Sequence, residues 1–238
     1  MPAHRSDPTS SVIELNDVVF CWPGASSPTL DIAHLQIARG EHLFVKGPSG
    51  CGKSTLLSLL TGINTATQGV VSLLGSDLNR LSASQRDRFR ADHIGYIFQQ
   101  FNLLPYLSVL DNVTLPCHFS ALRKQQVDGP LSHKAQSLLE RLHLPSALLN
   151  KPVTELSIGQ QQRVAAARAL MGEPQLIIAD EPTSALDYDN REAFIALLRE
   201  EAERVGSTLV FVSHDPTLEK LFERSVHLPT LNRAGGWQ

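Results

Sequence analysis

Four short stretches of the chain are apolar on both faces: His42–Lys46, Ile94–Phe98, Leu176–Ala179 and Thr208–Val212. Each gives way to a turn and then to a helix-compatible stretch, as in Ser54-Thr-Leu-Leu-Ser-Leu-Leu60 after the first. Near-continuous apolar runs of this length, alternating with helices, predict strands of a parallel sheet covered on both sides. Ligands of such sheets bind at the carboxyl ends of the strands. All four runs end beside polar residues able to do chemistry: Lys46, Gln99, Asp180 and the pair Ser213-His214.

The early region has a different pattern. Val12–Phe20, Leu30–Ile37 and Val70–Leu74 are strand-like segments separated by Pro, Gly and Ser turns, which predicts a small antiparallel layer beside the core. From about Leu107 to Gly172 the pattern turns helical, with Lys134–Leu142 and Gln160–Met171 as the clearest helices and breaks at Gly129-Pro130 and Lys151-Pro152. The expected organisation is one domain over 12–229, with a helical subdomain at about 100–172 and loose tails at 1–11 and 230–238.

Composition narrows the class. A chain of 238 residues, 42% hydrophobic and 19% charged, can bury a sizeable globular core. Its net charge of −3 provides no global basic field, so no nucleic-acid partner is expected. Cys21, Cys51 and Cys117 are widely spaced and form no C-x-x-C pair, which speaks against a disulfide framework or zinc site and for a reducing cytosol. Met1 to Ser11 lacks the apolar segment of a signal peptide, and no apolar run approaches the ~20 residues that span a bilayer. Work at a membrane would therefore need something else to hold the protein there.

Gly47-Pro48-Ser49-Gly50-Cys51-Gly52-Lys53-Ser54 fits G-x-x-x-x-G-K-[ST] between a strand and a helix, the context that this motif requires. Its glycines let backbone N–H groups turn inward around phosphates, and the following helix aims its positive end at them. Lys53 is placed to reach the β- and γ-phosphates of ATP, and the Ser54 hydroxyl to ligate Mg²⁺. At the end of a second apolar run, Asp180 and Glu181 point to opposite faces and so take separate tasks. Asp180 holds Mg²⁺ in this reading, and Glu181 polarises the water attacking the γ-phosphate. Gln99 and His214, each just past a strand, are weak signals alone. Together they supply the metal-and-water ligand and the γ-phosphate contact that such a site needs.

Leu156-Ser-Ile-Gly-Gln-Gln-Gln-Arg163 narrows the field further. Ser157 and Gly159 stand at the start of a helix, where a hydroxyl and a bare backbone N–H make a second phosphate receptor. The first phosphate site already has its own loop, so the simplest reading has this receptor serve the ATP of another copy.

With these motifs, nearly the whole chain resembles the ATP-binding cassette (ABC) ATPases. Leu156–Gln160 matches their signature motif, 47–55 with Thr55 their Walker A loop, Gln99 their Q-loop, and Leu176–Asp180 with Glu181 their Walker B run. Ser184-Ala-Leu-Asp187 matches the D-loop and His214 the switch histidine, while Trp22 or the nearby Phe20 takes the place of the aromatic that stacks on adenine. Ile158 replaces the first glycine of the usual Leu-Ser-Gly-Gly-Gln, and Gly159 is kept.

The resemblance implies an α/β P-loop NTPase fold: a RecA-like parallel core, an antiparallel β layer and an inserted helical subdomain. It implies ATP and Mg²⁺ as ligands, contacts from Gln160 and Asp187, and a head-to-tail dimer with two ATPs sandwiched between copies. The segment Phe98–Val113 is similar to that of the macrolide-export and lipoprotein-release subfamily. That similarity implies an integral membrane permease as partner, a periplasmic adaptor reached through it, and a place on the cytoplasmic face of the bacterial inner membrane. The alternatives are a cell-division ABC ATPase coupled to peptidoglycan remodelling, a soluble ABC ATPase of translation or DNA maintenance, and a P-loop kinase.

Overall fold

The structure, a computed structural model, describes residues 11–184 and 188–235, with the backbone alone at 188–190. The chain begins with β1 (Ser11–Phe20), β2 (Leu30–Ala38), β3 (His42–Lys46) and α1 (Lys53–Leu60), followed by β4 (Gln68–Leu73), β5 (Ser76–Asp77), α2 (Ala83–His93) and β6 (Ile94–Ile97). A helical stretch follows: α3 (Val109–Thr114), α4 (Pro116–Phe119), α5 (Ala121–Gln125), α6 (Leu131–Arg141) and α7 (Ile158–Leu170). The chain returns through β7 (Leu176–Asp180), α8 (Tyr188–Arg204), β8 (Thr208–Ser213), β9 (Arg224–His227) and α9 (Leu228–Leu231).

The four apolar runs form neighbouring parallel strands, as their pattern predicts, in the order β6-β7-β8-β3, with β9 added at the edge beside β3. Alternate residues feed two cores, because successive strand side chains point to opposite faces. Phe44, Ile177, Ala179 and Phe211 join the core shared with α6, α7 and α8. Leu43, Val45, Ile178 and Val212 join the other, shared with α1 and the antiparallel layer. That layer is β2-β1-β4-β5, so the predicted antiparallel strands are present with a short fourth strand that the sequence reading did not contain.

The helical region is fastened to the parallel sheet as well as packed on it. Arg123 in α5 is buried and donates to the carbonyls of Met171 (2.8 Å), Ala169 (2.7 Å) and Ile94 (3.3 Å). Burial lowers its pKa to about 10, which leaves the guanidinium charged at neutral pH. At Gly95 in β6 an added Cβ would stand 2.2 Å from the Ala169 carbonyl oxygen, so α7 and β6 approach at a distance only glycine permits. Among the described residues, no helix is long and apolar enough to cross a membrane.

Both expected tails need correction at their inner ends. Ser11 already pairs with Ala38 in the β1–β2 ladder. At the other end, Asn232 is buried and Arg233 is ion-paired with Asp31, because this segment finds hydrogen-bond partners along the outer edge of β2.

His42 opens β3 fully enclosed, with neither ring nitrogen in a hydrogen bond; Glu203 stands 3.5 Å away. Burial, helped by the Arg199 charge, holds its pKa below the ordinary value of 6.5, against the opposing pull of Glu203. A lowered folded-state pKa means that protonation favours the unfolded chain. The neutral histidine therefore costs nothing electrostatically above about pH 6.5, and stability falls as pH drops from there toward the folded pKa. His42→Leu is expected to raise the melting temperature more at pH 5.5 than at pH 8, read by thermal denaturation at both pH values.

Candidate functional site

The loop between β3 and α1 is shaped by two glycines in the left-handed region, Gly50 (φ +83°) and Gly52 (φ +97°), where side chains are strained. Gly52 caps α1 with no side-chain hydrogen bond, so the first-turn N–H groups have no competing side-chain cap. Lys53 is 8% exposed, and its ammonium donates to the carbonyls of Gly47 (2.7 Å) and Pro48 (3.0 Å). The loop thus holds its own lysine folded inward. Gly47 lies beneath the loop against Cys51, where an added Cβ would meet the sulfur at 2.5 Å. The Cys51 thiol is buried, and burial raises its pKa, so it fills space rather than offering a nucleophile.

The parallel register brings the acids to this loop. Lys46 pairs with Ser213, and Asp180 with Val212, so β3, β7 and β8 end nearly level. Glu181 leaves β7 with φ +44°, unusual for a side chain with a Cβ, and its N–H is held by the Val212 carbonyl at 2.9 Å. In that conformation its carboxylate lies 2.7 Å from His214 Nδ1 and 3.8 Å from Lys53 Nζ. An ionised carboxylate only accepts, so in this contact Nδ1 carries the hydrogen. Asp180 accepts from the Tyr96 hydroxyl at 3.3 Å, and burial raises both pKa values, each also pushed up by a neighbouring carboxylate, Glu181 for Asp180 and Asp180 for Tyr96.

A cleft of about 890 Å³ opens above these groups. Its walls include Pro48, Ser49, Gly50, Gly52, Lys53, Ser54 and Thr55 from the loop and first turn, with Gln99, Asp180, Glu181 and His214 across from them. Trp22 and Thr29 complete it on the side of the antiparallel layer. The two aromatics between which the sequence left a choice differ in burial. Trp22 is 44% exposed and lines the cleft, whereas Phe20, 5% exposed, stands edge-on behind it at 5.0 Å. Ser54, Gln99 and Asp180 offer a hydroxyl, an amide carbonyl and one carboxylate; hard oxygen donors with few charges suit Mg²⁺ completed by phosphate oxygens and water. Thr29 and Tyr96 are absent from the sequence-level reading, since no motif spacing marks either one.

Ser157, Gly159 and Gln160 line no part of this cleft. They stand at the start of α7, where Ser157 and Gln160 form a reciprocal capping box: Gln160 N–H donates to Ser157 Oγ (3.3 Å), and Ser157 N–H to Gln160 Oε1 (2.9 Å). Ile158 beside them is 53% exposed. One turn on, buried Gln162 donates to the Pro182 carbonyl at 2.8 Å, fastening α7 to the turn after Glu181. Asp187 lies outside the described residues.

The ABC transporter family model matches residues 30–184, which hold the phosphate loop, the capped start of α7 and the Asp180-Glu181 pair. The chain belongs to the ABC transporter family. This ABC cassette is 39% identical to the lipoprotein-releasing system ATP-binding protein LolD of Shewanella denitrificans over 210 residues, 88% of each chain. It is also 39% identical over 220 residues to the macrolide export ATP-binding/permease protein MacB of Shigella flexneri, covering 91% of this chain and 33% of that protein. Among solved structures it superposes on the ATP-binding cassette MJ0796 of Methanocaldococcus jannaschii, described as dimeric in a post-hydrolysis state bound to ADP and Pi. The TM-score is 0.78 at 35% identity, covering 90% of this chain and 93% of that one.

Cys51 and Cys117 are buried free thiols, and Cys21 is partly exposed. Titration of the native cassette with a water-soluble disulfide reagent should therefore modify one thiol quickly, and all three only after unfolding.

Proposed function

We propose that this cassette is the ATP-binding and ATP-hydrolysing subunit that powers a separate membrane permease, of the export or lipoprotein-release type. The observation that carries the catalytic half is the grouping of Lys53, Glu181 and His214 within 3.8 Å contacts beside the phosphate loop. In this reading the α-, β- and γ-phosphates lie on the N–H groups of 49–55, and the adenine lies on Trp22. Lys53 exchanges the Gly47 and Pro48 carbonyls for phosphate oxygens. Ser54, Gln99 and Asp180 hold Mg²⁺, which when bound neutralises charge on the phosphate oxygens. Glu181 accepts the proton of the attacking water, and His214 leaves Glu181 to contact the γ-phosphate.

The capped start of α7 is exposed, and it lines no part of this chain's own cleft. Both features support a head-to-tail pair of copies in which Ser157 and Gly159 close the partner's site, with Gln160 and Asp187 contributing to the same junction. The dimeric state of the MJ0796 structure supports the same arrangement. The relatives support the partner: LolD is the ATP-binding protein of a lipoprotein-releasing system, and MacB is a macrolide export ATP-binding/permease protein. The permease then holds the cassette on the cytoplasmic face of the inner membrane and links it to any periplasmic adaptor.

Glu181→Gln should keep ATP binding and lower turnover by roughly 10²- to 10⁴-fold, measured as steady-state phosphate release. Undiminished turnover in that variant would remove Glu181 from the base role. Gly159→Asp should leave ATP binding by the monomer intact while abolishing ATP-driven dimerisation and hydrolysis. Wild-type specific activity should rise with protein concentration, and a rate per chain independent of dilution would count against the shared site.

A further inference from the structure

The nucleotide cleft is built by two separate sheets, with the phosphate loop on the end of parallel strand β3 and Trp22 and Thr29 on the antiparallel layer. A nucleotide that meets both walls depends on their relative placement. Besides the core that α1 shares with the antiparallel layer, a short segment runs from beneath the loop to the layer's edge. After β9, which lies on the outer edge of β3, Leu228 and Pro229 pass directly beneath the phosphate loop: a Cβ on Gly47 would be 3.1 Å from Pro229 Cδ and 3.7 Å from Leu228 Cβ. The chain then reaches the outer edge of β2, which among the described residues has no neighbouring strand on that side.

There Asn232, 3% exposed, behaves as a piece of strand backbone. Its side-chain Nδ2 donates to the Thr29 carbonyl (2.9 Å) and its Oδ1 accepts from the Asp31 N–H (2.8 Å), the pair of groups that an added strand would use. Arg233 N–H donates to the Asp31 carbonyl (2.7 Å), and its guanidinium donates to the Asp31 carboxylate (2.7 Å). At the other end of β2, Arg224 of β9 donates to the Gln36 carbonyl (2.7 Å). Thr29 itself lines the cleft, and its N–H donates to the Phe20 carbonyl (2.8 Å), two residues from Trp22.

We infer that residues 228–233 form a strap that fixes the base-binding wall of the cleft relative to the phosphate loop, with Asn232 as its positioning residue. The strap touches no part of the nucleotide. It acts through Thr29 and Phe20 on the placement of Trp22, and so governs affinity for the base half of ATP and not for its phosphate half. Alternative roles for this segment differ in what they change. A purely stabilising segment would weaken all ligands together or none, and a contact with the phosphate loop alone would weaken the phosphates.

The inference rests on the nucleotide-site reading above, and the ligands are chosen to separate the two. Calorimetric titration of the full chain with MgATP and with magnesium tripolyphosphate reads the base and phosphate halves apart. Asn232→Ala should raise the Kd for MgATP about five- to tenfold, the effect of one or two buried hydrogen bonds passed on in part, and leave that for tripolyphosphate unchanged. In steady state it should raise KM by a similar factor with kcat at saturating ATP little altered. Arg233→Ala removes only an exposed guanidinium, keeps the buried amide, and should weaken MgATP about twofold with tripolyphosphate again unchanged. This second variant decides the matter if Asn232→Ala does not fold. Equal weakening of both ligands, or no change in the ATP to tripolyphosphate ratio in the folded variants, overturns the strap. Failure of the wild-type chain to bind either ligand would instead overturn the nucleotide-site reading.

Discussion

The structure depends on the register of a buried parallel sheet. The strands β6, β7, β8 and β3 carry apolar residues on both faces through their middles, so the polar chemistry collects at their ends. Parallel pairing then makes those ends coincide, with Lys46 opposite Ser213 and Asp180 opposite Val212. A one-residue slip of β7 against β8 would move Glu181 along the sheet by about 3.3 Å, nearly its whole separation from the lysine. The loop, the acids and the histidine are thus not independently placed; they inherit one alignment.

Around that alignment the molecule uses different forces for different jobs. The two cores are ordinary apolar packing and set which faces the sheet presents. Attachment of the helical region relies on polar bonds in dry places: Arg123 on three carbonyls, and Gln162 on Pro182. Such bonds are directional, and leaving one partner unsatisfied inside the protein costs about 1–3 kcal/mol. They hold specific turns in place where apolar contacts alone would permit sliding. Gly95 allows the close approach of α7 to β6 that brings the Ala169 carbonyl within reach of Arg123.

What the sequence made legible follows from how local each signal is. The phosphate loop, the apolar run into Asp180-Glu181 and the capping box of α7 are contiguous, and each occupies the element that its pattern predicts. Helix α2 was not legible from periodicity, because Ala83–His93 has no buried residue and no apolar stripe; only its Ser82-to-Gln85 capping box could have revealed it. Strand β9, Arg224–His227, is polar enough to hide among loops, and it becomes a strand because β3 offers it an open edge. Tyr96 meets Asp180 across 84 residues of chain, and Asn232 meets Thr29 across 203. No spacing rule reaches that far, so a segment expected to be loose proved to be tied down. The aromatic beside the cleft was narrowed to Phe20 or Trp22 by position, and only their opposite burial separates them.

Glu181 sits at φ +44°, in a region where a residue with a Cβ stores roughly 1–2 kcal/mol relative to its preferred conformations. Asparagine or glycine adopts that backbone with less strain. A screen of variants for heat resistance alone would therefore tend to reward replacing this glutamate, and with Glu181 as the base proposed above, the proteins it selected would be firmer and catalytically silent. Under that proposal thermal robustness and turnover compete at this one position, which makes melting temperature a poor proxy for a working cassette.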